Sequence, residues 1–270
     1  MYPPRATRAA PGVPVPRAGR ALARTQTRSP RYFAPVIDPG PYAPFAPAFR
    51  IALPFGLLAG VHLPPRADPV PHPVLARLHP DERDYARTLG GFRQVQFVGG
   101  RLALGDLLGE LGLRRVGVLP NEHGAPALSP GFVASVSHKQ NLAVALVARG
   151  NGVGIGVDLE DTDRHRPGVA ARVLRAEELR MVEALPADRQ WVETAIRFSV
   201  KESVYKALHP FLLRYIGFGE VAVWTEPDGN DRVEPFLRPG EGPFRFEARH
   251  AWIGNRVLSM VRARPASSGA

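Results

Sequence analysis

The sequence predicts an α+β protein in which helices and strands are mixed and most strands are joined by hairpins. Three observations predict this class. Alternating or continuous apolar runs, typical of strands, occur in three regions of the chain. Runs with apolar residues three and four positions apart, typical of helices, lie between those regions. Turns rich in Gly, Pro, Asn and Asp separate the runs. We predict an N-terminal lobe over residues 46–150 and a C-terminal lobe over residues 151–265, preceded by an extension over residues 1–45.

The extension is basic and poor in apolar residues. Residues 1–37 contain seven arginines and no acid, and they are dense in proline and alanine. Such a segment cannot fold on its own, so we expect it to be disordered. It lacks the apolar centre of a secretory signal. A targeting peptide is a further reading, but a solvated extension or a misplaced start codon is favoured.

Composition excludes several classes of function. The formal net charge is +10, but beyond residue 37 only 28 basic residues face 25 acids, so much of the excess charge belongs to the extension. No basic helix with interleaved aromatics is present, which argues against nucleic-acid binding. The chain has no cysteine, which removes disulfides and thiolate metal sites and suits a cytoplasmic protein. No apolar run reaches the length of a membrane span.

The predicted elements follow the chain in order. In the N-terminal lobe we predict strands at 49–53 and 57–63, a helix opened by Pro80, and a helix over 93–111. The pair Gly99-Gly100 weakens this last helix or permits close approach to its backbone. The next strands are expected at 132–137, 142–148 and 153–159, with a tight hairpin at 149–154 around Asn151-Gly152. Helices at 176–185 and 188–208, the latter ended by Pro210, precede strands at 220–225, 244–248 and 256–261.

The strand that ends near residue 160 carries two carboxylates on one face. Side chains alternate along a strand, so Gly156, Asp158 and Glu160 point the same way. Two carboxylates beside a residue with no side chain form an open anionic notch. Such a notch suits a hard cation such as Mg²⁺, which takes oxygen ligands and leaves positions for phosphate. The alternative is an exposed acidic strand end.

The helix over 188–208 carries a second acidic group. Its apolar stripe is formed by Val192, Ile196, Val200 and Val204. Glu202 and Lys206 lie four residues apart, nearly opposite that stripe. They could form only an exposed salt bridge, worth about 0.3–0.5 kcal/mol. However, the aromatic residues Phe198 and Tyr205 flank the same side and indicate an enclosed helix, in which Glu202 needs a metal or a polar cleft.

Ser137-His138-Lys139 ends a predicted strand with three groups that can donate to phosphate oxygens. A turn with polar residues is the simpler reading of this tripeptide alone. A Ser-His hydrolase is disfavoured because adjacent strand residues point apart. The glycines at 152, 154 and 156 are similar to a phosphate loop, but no helix follows them, so close backbone approach is the better explanation.

In their order, these segments resemble the phosphopantetheinyl transferase superfamily. Its hallmarks are a (V/I)G(V/I)D-x-E strand, matched by Gly154–Glu160, and a downstream (F/W)-(S/C/T)-x-K-E-(S/A)-x-x-K-A helix, matched by Phe198–Ala207. The Phe-Ser start and Pro210 resemble the enterobactin-type branch of the monomeric, two-lobed group. The similarity covers roughly residues 80–225.

The resemblance implies two α+β lobes related by a pseudo-twofold axis, with coenzyme A in the cleft between them. It implies transfer of the 4′-phosphopantetheine arm of coenzyme A to a serine of an acyl or peptidyl carrier protein, with release of adenosine 3′,5′-bisphosphate. Asp158, Glu160 and Glu202 would hold Mg²⁺. Asp158, Glu202 and Lys206 would be catalytic, with Glu202 as the usual candidate for general base.

The resemblance also implies contacts to the coenzyme. Lys201 and Lys206 would lie near its phosphates, and Ser137 and His138 would contact its 3′-phosphate. Arg101 and Arg93 would assist there. Relatives often carry a lysine shortly before the Ser-His strand, where this sequence has Gly124-Ala125-Pro126. Lys139 or His123 would have to compensate.

Two other classes stay open on the sequence alone. A basic nucleic-acid-binding protein would lose its affinity when residues 1–37 are deleted, because the charge is concentrated there. A different Mg²⁺-dependent phosphate enzyme, such as a phosphodiesterase, would not be stabilised by coenzyme A in preference to plain nucleotides.

Overall fold

The computed structural model describes residues 42–54, 56–113 and 116–266. The predicted disordered extension therefore lies, up to residue 41, outside the described residues. The strands are β1 (Ala46–Leu53), β2 (Gly56–His62), β3 (Phe132–Lys139), β4 (Leu142–Arg149), β5 (Gly154–Asp161), β6 (Val221–Trp224), β7 (Asn230–Pro235), β8 (Phe244–Ile253) and β9 (Arg256–Pro265). The helices are α1 (His72–Leu75), α2 (Pro80–Thr88), α3 (Gly91–Glu110), α4 (Val169–Val173), α5 (Ala176–Glu183) and α6 (Ala187–Leu212).

The chain folds into four layers. One antiparallel sheet has the order β1-β2-β4-β3, and the other has the order β5-β9-β8-β7-β6. Helix α3 packs on the outer face of the first sheet, and α6 packs on the outer face of the second. The inner faces of the two sheets pack against each other through a shared apolar core. This arrangement confirms the predicted α+β class.

Strand β4 is buried on both faces, which explains its unbroken apolar sequence. Leu142, Val144 and Leu146 face the second sheet. The smaller Ala143 and Ala145 face α3 in the other core. A strand enclosed on both faces needs apolar residues at every position instead of alternation.

The two sheets meet edge to edge at β3 and β5. The backbone N–H of Val157 donates to Ser135 Oγ at 3.1 Å, and that of Leu159 donates to Ser137 Oγ at 3.3 Å. These amides lie on the edge of the second sheet, where no neighbouring strand pairs with them. The two serines therefore accept hydrogen bonds from backbone N–H groups of β5 that no neighbouring strand pairs with. These bonds also fix the end of β3 beside β5.

Glycines allow α6 to lie directly on β5. A Cβ atom at Gly154 would stand 1.9 Å from the carbonyl oxygen of Ala207, and one at Gly156 would stand 1.9 Å from that of Ser203. The close backbone approach predicted for these glycines is confirmed. Gly99 plays the same part in α3, where an added Cβ would stand 2.1 Å from the side chain of Leu63.

Two predicted local features are wrong. The expected hairpin at 149–154 does not form, because β4 pairs with β2 and β3 and β5 pairs with β9 in the other sheet. The turn at Asn151-Gly152 instead carries the chain from one sheet to the other. Helix α6 also continues past Pro210 to Leu212. Because proline has no backbone N–H, it removes only one hydrogen bond from the last turn. Leu213 follows the helix as its C-cap residue and has a φ of +48°.

Short elements escaped the sequence patterns. Helices α1 and α4, with four and five residues, are too short to show periodicity. The folded chain also reaches into the predicted extension: Phe45 is fully buried, and the hydroxyl of Tyr42 donates to Asp106 at 2.7 Å. Within the described ranges, no helix combines the length and the apolar character that crossing a membrane requires.

Candidate active site

The predicted carboxylates lie where β5 passes under α6. The period of the strand turns Asp158 and Glu160 toward the helix, and α6 places Glu202 nearby. Asp158 is 8% exposed and Glu160 is 3% exposed. The notch is therefore not open as predicted, because α6 covers it through the glycine contacts.

Asp158 is held by three donors. Its Oδ1 accepts from Ser137 Oγ at 2.9 Å and from Lys206 Nζ at 2.8 Å. Its Oδ2 accepts from Ser199 Oγ at 3.1 Å. A buried carboxylate with hydrogen bonds to both oxygens and a paired cation is held in one orientation. Asp158 is thus an ordered carboxylate at the centre of the cluster.

Glu160 is paired with basic side chains. Lys139 Nζ lies 2.9 Å from its carboxylate oxygens, and the guanidinium of Arg166 also forms an ion pair with it. Lys139 comes from the end of β3, in the other sheet. The edge contact between β3 and β5 therefore brings a basic group to the second carboxylate.

Glu202 is the unpartnered member of the cluster. Within the described part of the chain its carboxylate makes no hydrogen bond or ion pair, and it is half-buried. Burial, followed by repulsion from Asp158, raises the pKa of Glu202, while Lys206 opposes this change and Glu160 adds to it. The site is therefore short of positive charge at Glu202.

The donor set of this cluster suits a hard divalent cation. Three carboxylates supply only oxygen ligands, as Mg²⁺ prefers. As the described side chains are placed, no three His, Asp or Glu residues converge as metal ligands. Lys206 instead forms an ion pair with Asp158, and Lys139 forms one with Glu160. A bound cation would have to displace these ammonium groups from the carboxylates.

Lys206 and His138 form a basic edge beside the carboxylates. Lys206 Nζ donates to the carbonyl oxygen of Val157 at 2.8 Å as well as to Asp158. His138 points out of β3 and is exposed. Desolvation by the surrounding chain, followed by the charge of Lys206, lowers the pKa of His138. The neutral imidazole and the ammonium are both available to an anionic ligand.

Ser137 is brought to the cluster, where its hydroxyl is engaged by protein groups, and its contact with the coenzyme stays a prediction. Its hydroxyl donates its one proton to Asp158 and accepts from the amide of Leu159. It can contact a phosphate only by giving up its bond to Asp158. The structure brings Ser137 to the site as a support for the carboxylate.

Lys201 is not brought to the cluster, although it lies in the same motif. Its Nζ is buried and donates to Glu178 at 2.6 Å. It also donates to the carbonyl oxygens of Val173 and Phe218. The side chain of Lys201 is 1% exposed. All three donor positions of the ammonium are used, so the prediction that Lys201 lies near phosphates is corrected: it holds α6 to the elements around it.

The two arginines of α3 lie apart from these contacts. Arg101 is buried, donates from Nε to the carbonyl oxygen of Val118 at 2.7 Å and stacks on Phe97. Its guanidinium also faces the buried Glu82 at 3.8 Å. It lines a cavity of about 470 Å³ in the N-terminal lobe. Arg93 is exposed near the start of α3. Their contact with a coenzyme phosphate stays a prediction.

Sequence reasoning missed several supporting residues. Ser199 and Ser259 share a hydrogen bond of 2.8 Å beneath Asp158, and Ser203 joins them at 2.7 Å. Ser199 and Ser203 lie within the recognised motif, but only the packing of β9 on α6 brings Ser259 to them. Arg166 lies in a loop without periodicity, so no sequence signal pointed to it.

Comparisons with known proteins agree with this geometry. Residues 154–261 match the sequence model of the 4′-phosphopantetheinyl transferase superfamily. Residues 82–148 match that of the 4′-phosphopantetheinyl transferase N-terminal domain. The two matches meet at the connection between β4 and β5, where the chain passes from one sheet to the other.

Individual relatives carry related names. The chain is 31% identical over 172 residues to the 4′-phosphopantetheinyl transferase Svp of Streptomyces mobaraensis, covering 63% of this chain and 70% of the relative. It is 30% identical to enterobactin synthase component D of Salmonella typhi, covering 67% and 76%. It is also 30% identical to the 4′-phosphopantetheinyl transferase PptT of Mycobacterium tuberculosis, where the match covers 54% of this chain and 64% of the relative.

Proposed function

This chain belongs to the 4′-phosphopantetheinyl transferase superfamily and transfers the 4′-phosphopantetheine group of coenzyme A to carrier proteins; we propose that Asp158, Glu160 and Glu202 hold the Mg²⁺ for this transfer. One observation carries the proposal. Glu202 is half-buried, has no hydrogen-bond or ion-pair partner among the described residues, and lies on the helix that covers the buried Asp158 and Glu160. Burial, followed by repulsion from Asp158, raises its pKa. Such a group is stabilised when a divalent cation binds.

The basic edge of the cluster would receive the phosphates of the coenzyme. Lys206 supplies a positive charge next to Asp158, and His138 supplies a donor from the neighbouring strand. A bound metal would help to neutralise charge on the pyrophosphate. Lys206, once displaced from Asp158 by that metal, would act on the phosphates from the protein side.

The proton of the acceptor serine needs a base. In the transfer, the serine oxygen forms a bond to the β-phosphorus, the bond from that phosphorus to the bridging oxygen breaks, and adenosine 3′,5′-bisphosphate leaves. Glu202 is the candidate base, directly or through water, because its raised pKa makes it a better proton acceptor than an ordinary glutamate. A carboxylate that ligates a metal is a poor base, so the two roles of Glu202 compete.

The substitution Asp158→Asn tests the metal assignment. Asparagine preserves the shape of the side chain and removes its charge, so we expect the fold to persist and turnover to be lost. Turnover is measured by mass spectrometry of an apo carrier protein, and folding by circular dichroism. Raising the Mg²⁺ concentration stepwise in the same assay shows whether the variant has lost affinity for the metal.

Asp161→Asn is the matched control. Asp161 is also a buried carboxylate of β5, but it is on the opposite face of the strand from Asp158 and Glu160 and pairs with Gln140 and Arg256. We expect this variant to keep its Mg²⁺ dependence and most of its activity. Near-normal turnover of Asp158→Asn would show that the metal assignment is wrong.

The proposal extends to the choice of carrier protein, the location of the enzyme and its oligomeric state. Acyl and peptidyl carrier proteins are both proposed substrates. A role in siderophore, polyketide or other secondary metabolite synthesis is in keeping with the relatives named above. Cytoplasmic location and a monomeric state stay predictions.

A further inference from the structure

The segment that follows α6 has a strained backbone and an exposed apolar side chain at the same residue. Leu213 ends the helix with a φ of +48°, in the left-handed region that L-residues adopt reluctantly and where glycine or asparagine is usual. Its side chain is nevertheless 70% exposed. No burial of the leucine compensates for the strain within the described structure.

The next residue holds this backbone in place. Arg214 is largely buried, and its Nη2 lies 2.6 Å from Glu220 while its Nε lies 2.7 Å from Glu241. The hydrogen bond from Arg214 lowers the pKa of Glu241 to about 2. Arg214 points inward, whereas its neighbours Leu213 and Tyr215 point outward, with Tyr215 66% exposed. The ion pairs of Arg214 with Glu220 and Glu241 thus hold a segment of backbone that presents the two large side chains of Leu213 and Tyr215 outward.

Of the two outward side chains, Tyr215 stands at the rim of the candidate active site, and Leu213 precedes it by two residues on the same exposed segment. Tyr215 lines the same small cavity as Glu202 and Tyr205. The rings of Tyr205 and Tyr215 are 5.5 Å apart, so α6 and the segment after it form one continuous wall. We call Leu213 and Tyr215 the rim pair.

We propose that the rim pair is a docking surface for the carrier protein, and that it packs against an apolar patch beside the acceptor serine. This inference rests on the proposed function. The acceptor serine must reach the phosphorus near Glu202, so the protein that carries it has to cover the rim of this cavity.

The chemistry of the rim indicates what kind of surface it meets. Arg214 lies between the two residues of the pair, but its charge is neutralised by Glu220 and Glu241. The rim pair therefore offers apolar and aromatic contact, and Arg214 between its two members adds no unpaired charge, which complements an apolar patch better than an acidic one. Aromatic and aliphatic anchors beside a pocket commonly carry most of the binding free energy of an interface.

The substitution Leu213→Gly separates docking from structure. Glycine tolerates the positive φ, so the melting temperature should not fall. The KM for the carrier protein should rise about tenfold, as loss of one buried anchor implies. The kcat at saturating carrier and the Kd for coenzyme A should stay unchanged. Tyr215→Ala should act in the same direction.

Phe92 provides a control for the rim variants. Phe92→Ala, which removes a 52% exposed phenylalanine from the other lobe, should leave the KM for the carrier unchanged. An unchanged KM in both rim variants would overturn the docking proposal, and would leave the surface to another occupant such as residues 1–41. If the wild-type chain binds coenzyme A but modifies no carrier, the proposed function fails instead.

Discussion

At the scale of single residues, two lysines of one motif have opposite tasks. Lys201 and Lys206 lie five positions apart on α6, so they leave the helix in different directions. Lys201 forms a buried ion pair with Glu178, whereas Lys206 lies beside Asp158 with its side chain 26% exposed. The motif predicts that both are important, but only the packing around α6 shows that one is structural.

Replacing each lysine by methionine should separate these tasks. Lys201→Met leaves Glu178 buried without its cation, which typically costs about 3–5 kcal/mol of stability. Lys206→Met should lower turnover strongly while changing the free energy of unfolding much less. Urea unfolding and carrier modification are measured on both variants. Equal stability of the two variants would contradict the structural role of Lys201.

His209 makes the stability of the protein depend on pH. It is buried on α6, its ring lies 4.6 Å from that of His123, and its Nε2 has no hydrogen-bond partner among the described residues. Desolvation and the neighbouring His123 lower the pKa of His209, while Glu122 opposes this change. The folded state therefore resists protonation that the unfolded state accepts below its ordinary pKa of about 6.5.

The expected result is a loss of stability as the pH falls below about 6.5, by up to about 1.4 kcal/mol per pH unit for one proton. His209→Asn should flatten this part of the profile, which is measured by urea unfolding between pH 7.5 and 5. His72→Asn, at an exposed histidine on α1, serves as the comparison and should keep the wild-type slope. An identical slope in all three proteins would refute the assignment to His209.

At the scale of elements, the site depends on how closely α6 lies on β5. A glycine in a motif strand can be required for an unusual backbone conformation, for catalysis or for close packing, and the sequence pattern does not distinguish these three roles. The structure shows that the role of Gly156 is close packing, since a methyl group there would overlap the backbone of α6. The elements themselves were well predicted, because long periodic segments such as 93–111 and 188–208 carry a strong signal.

Gly156→Ala tests this contact. The added methyl meets the carbonyl oxygen of Ser203 at 1.9 Å, which is backbone and cannot rotate away. We expect a loss of stability of about 3 kcal/mol or more, as for severe overpacking, together with lower turnover because α6 carries Glu202. Gly219→Ala, where no atom lies within 4 Å of the added group, should be nearly neutral. Wild-type stability of Gly156→Ala would contradict the described packing.

At the scale of the whole molecule, the site is built across two sheets. Ser137, His138 and Lys139 come from the edge of the first sheet, and Asp158 and Glu160 come from the edge of the second. The sequence patterns indicate that these residues belong to one site, but they wrongly predict that β4 and β5 pair in a hairpin. Turn chemistry at Asn151-Gly152 is local, whereas the partner of β5 is β9, about a hundred residues away. Such long-range pairing is decided by burial of both sheets and leaves no local signal.

The most direct test of the central claim is the intact mass of an apo carrier protein incubated with this protein, coenzyme A and Mg²⁺. We predict a gain of one phosphopantetheine, its absence when EDTA is added, and its recovery when excess Mg²⁺ is restored. A gain that EDTA does not affect would contradict the metal-dependent mechanism. No gain on several acyl and peptidyl carriers, from a folded protein that coenzyme A does not stabilise, would contradict the proposed function itself.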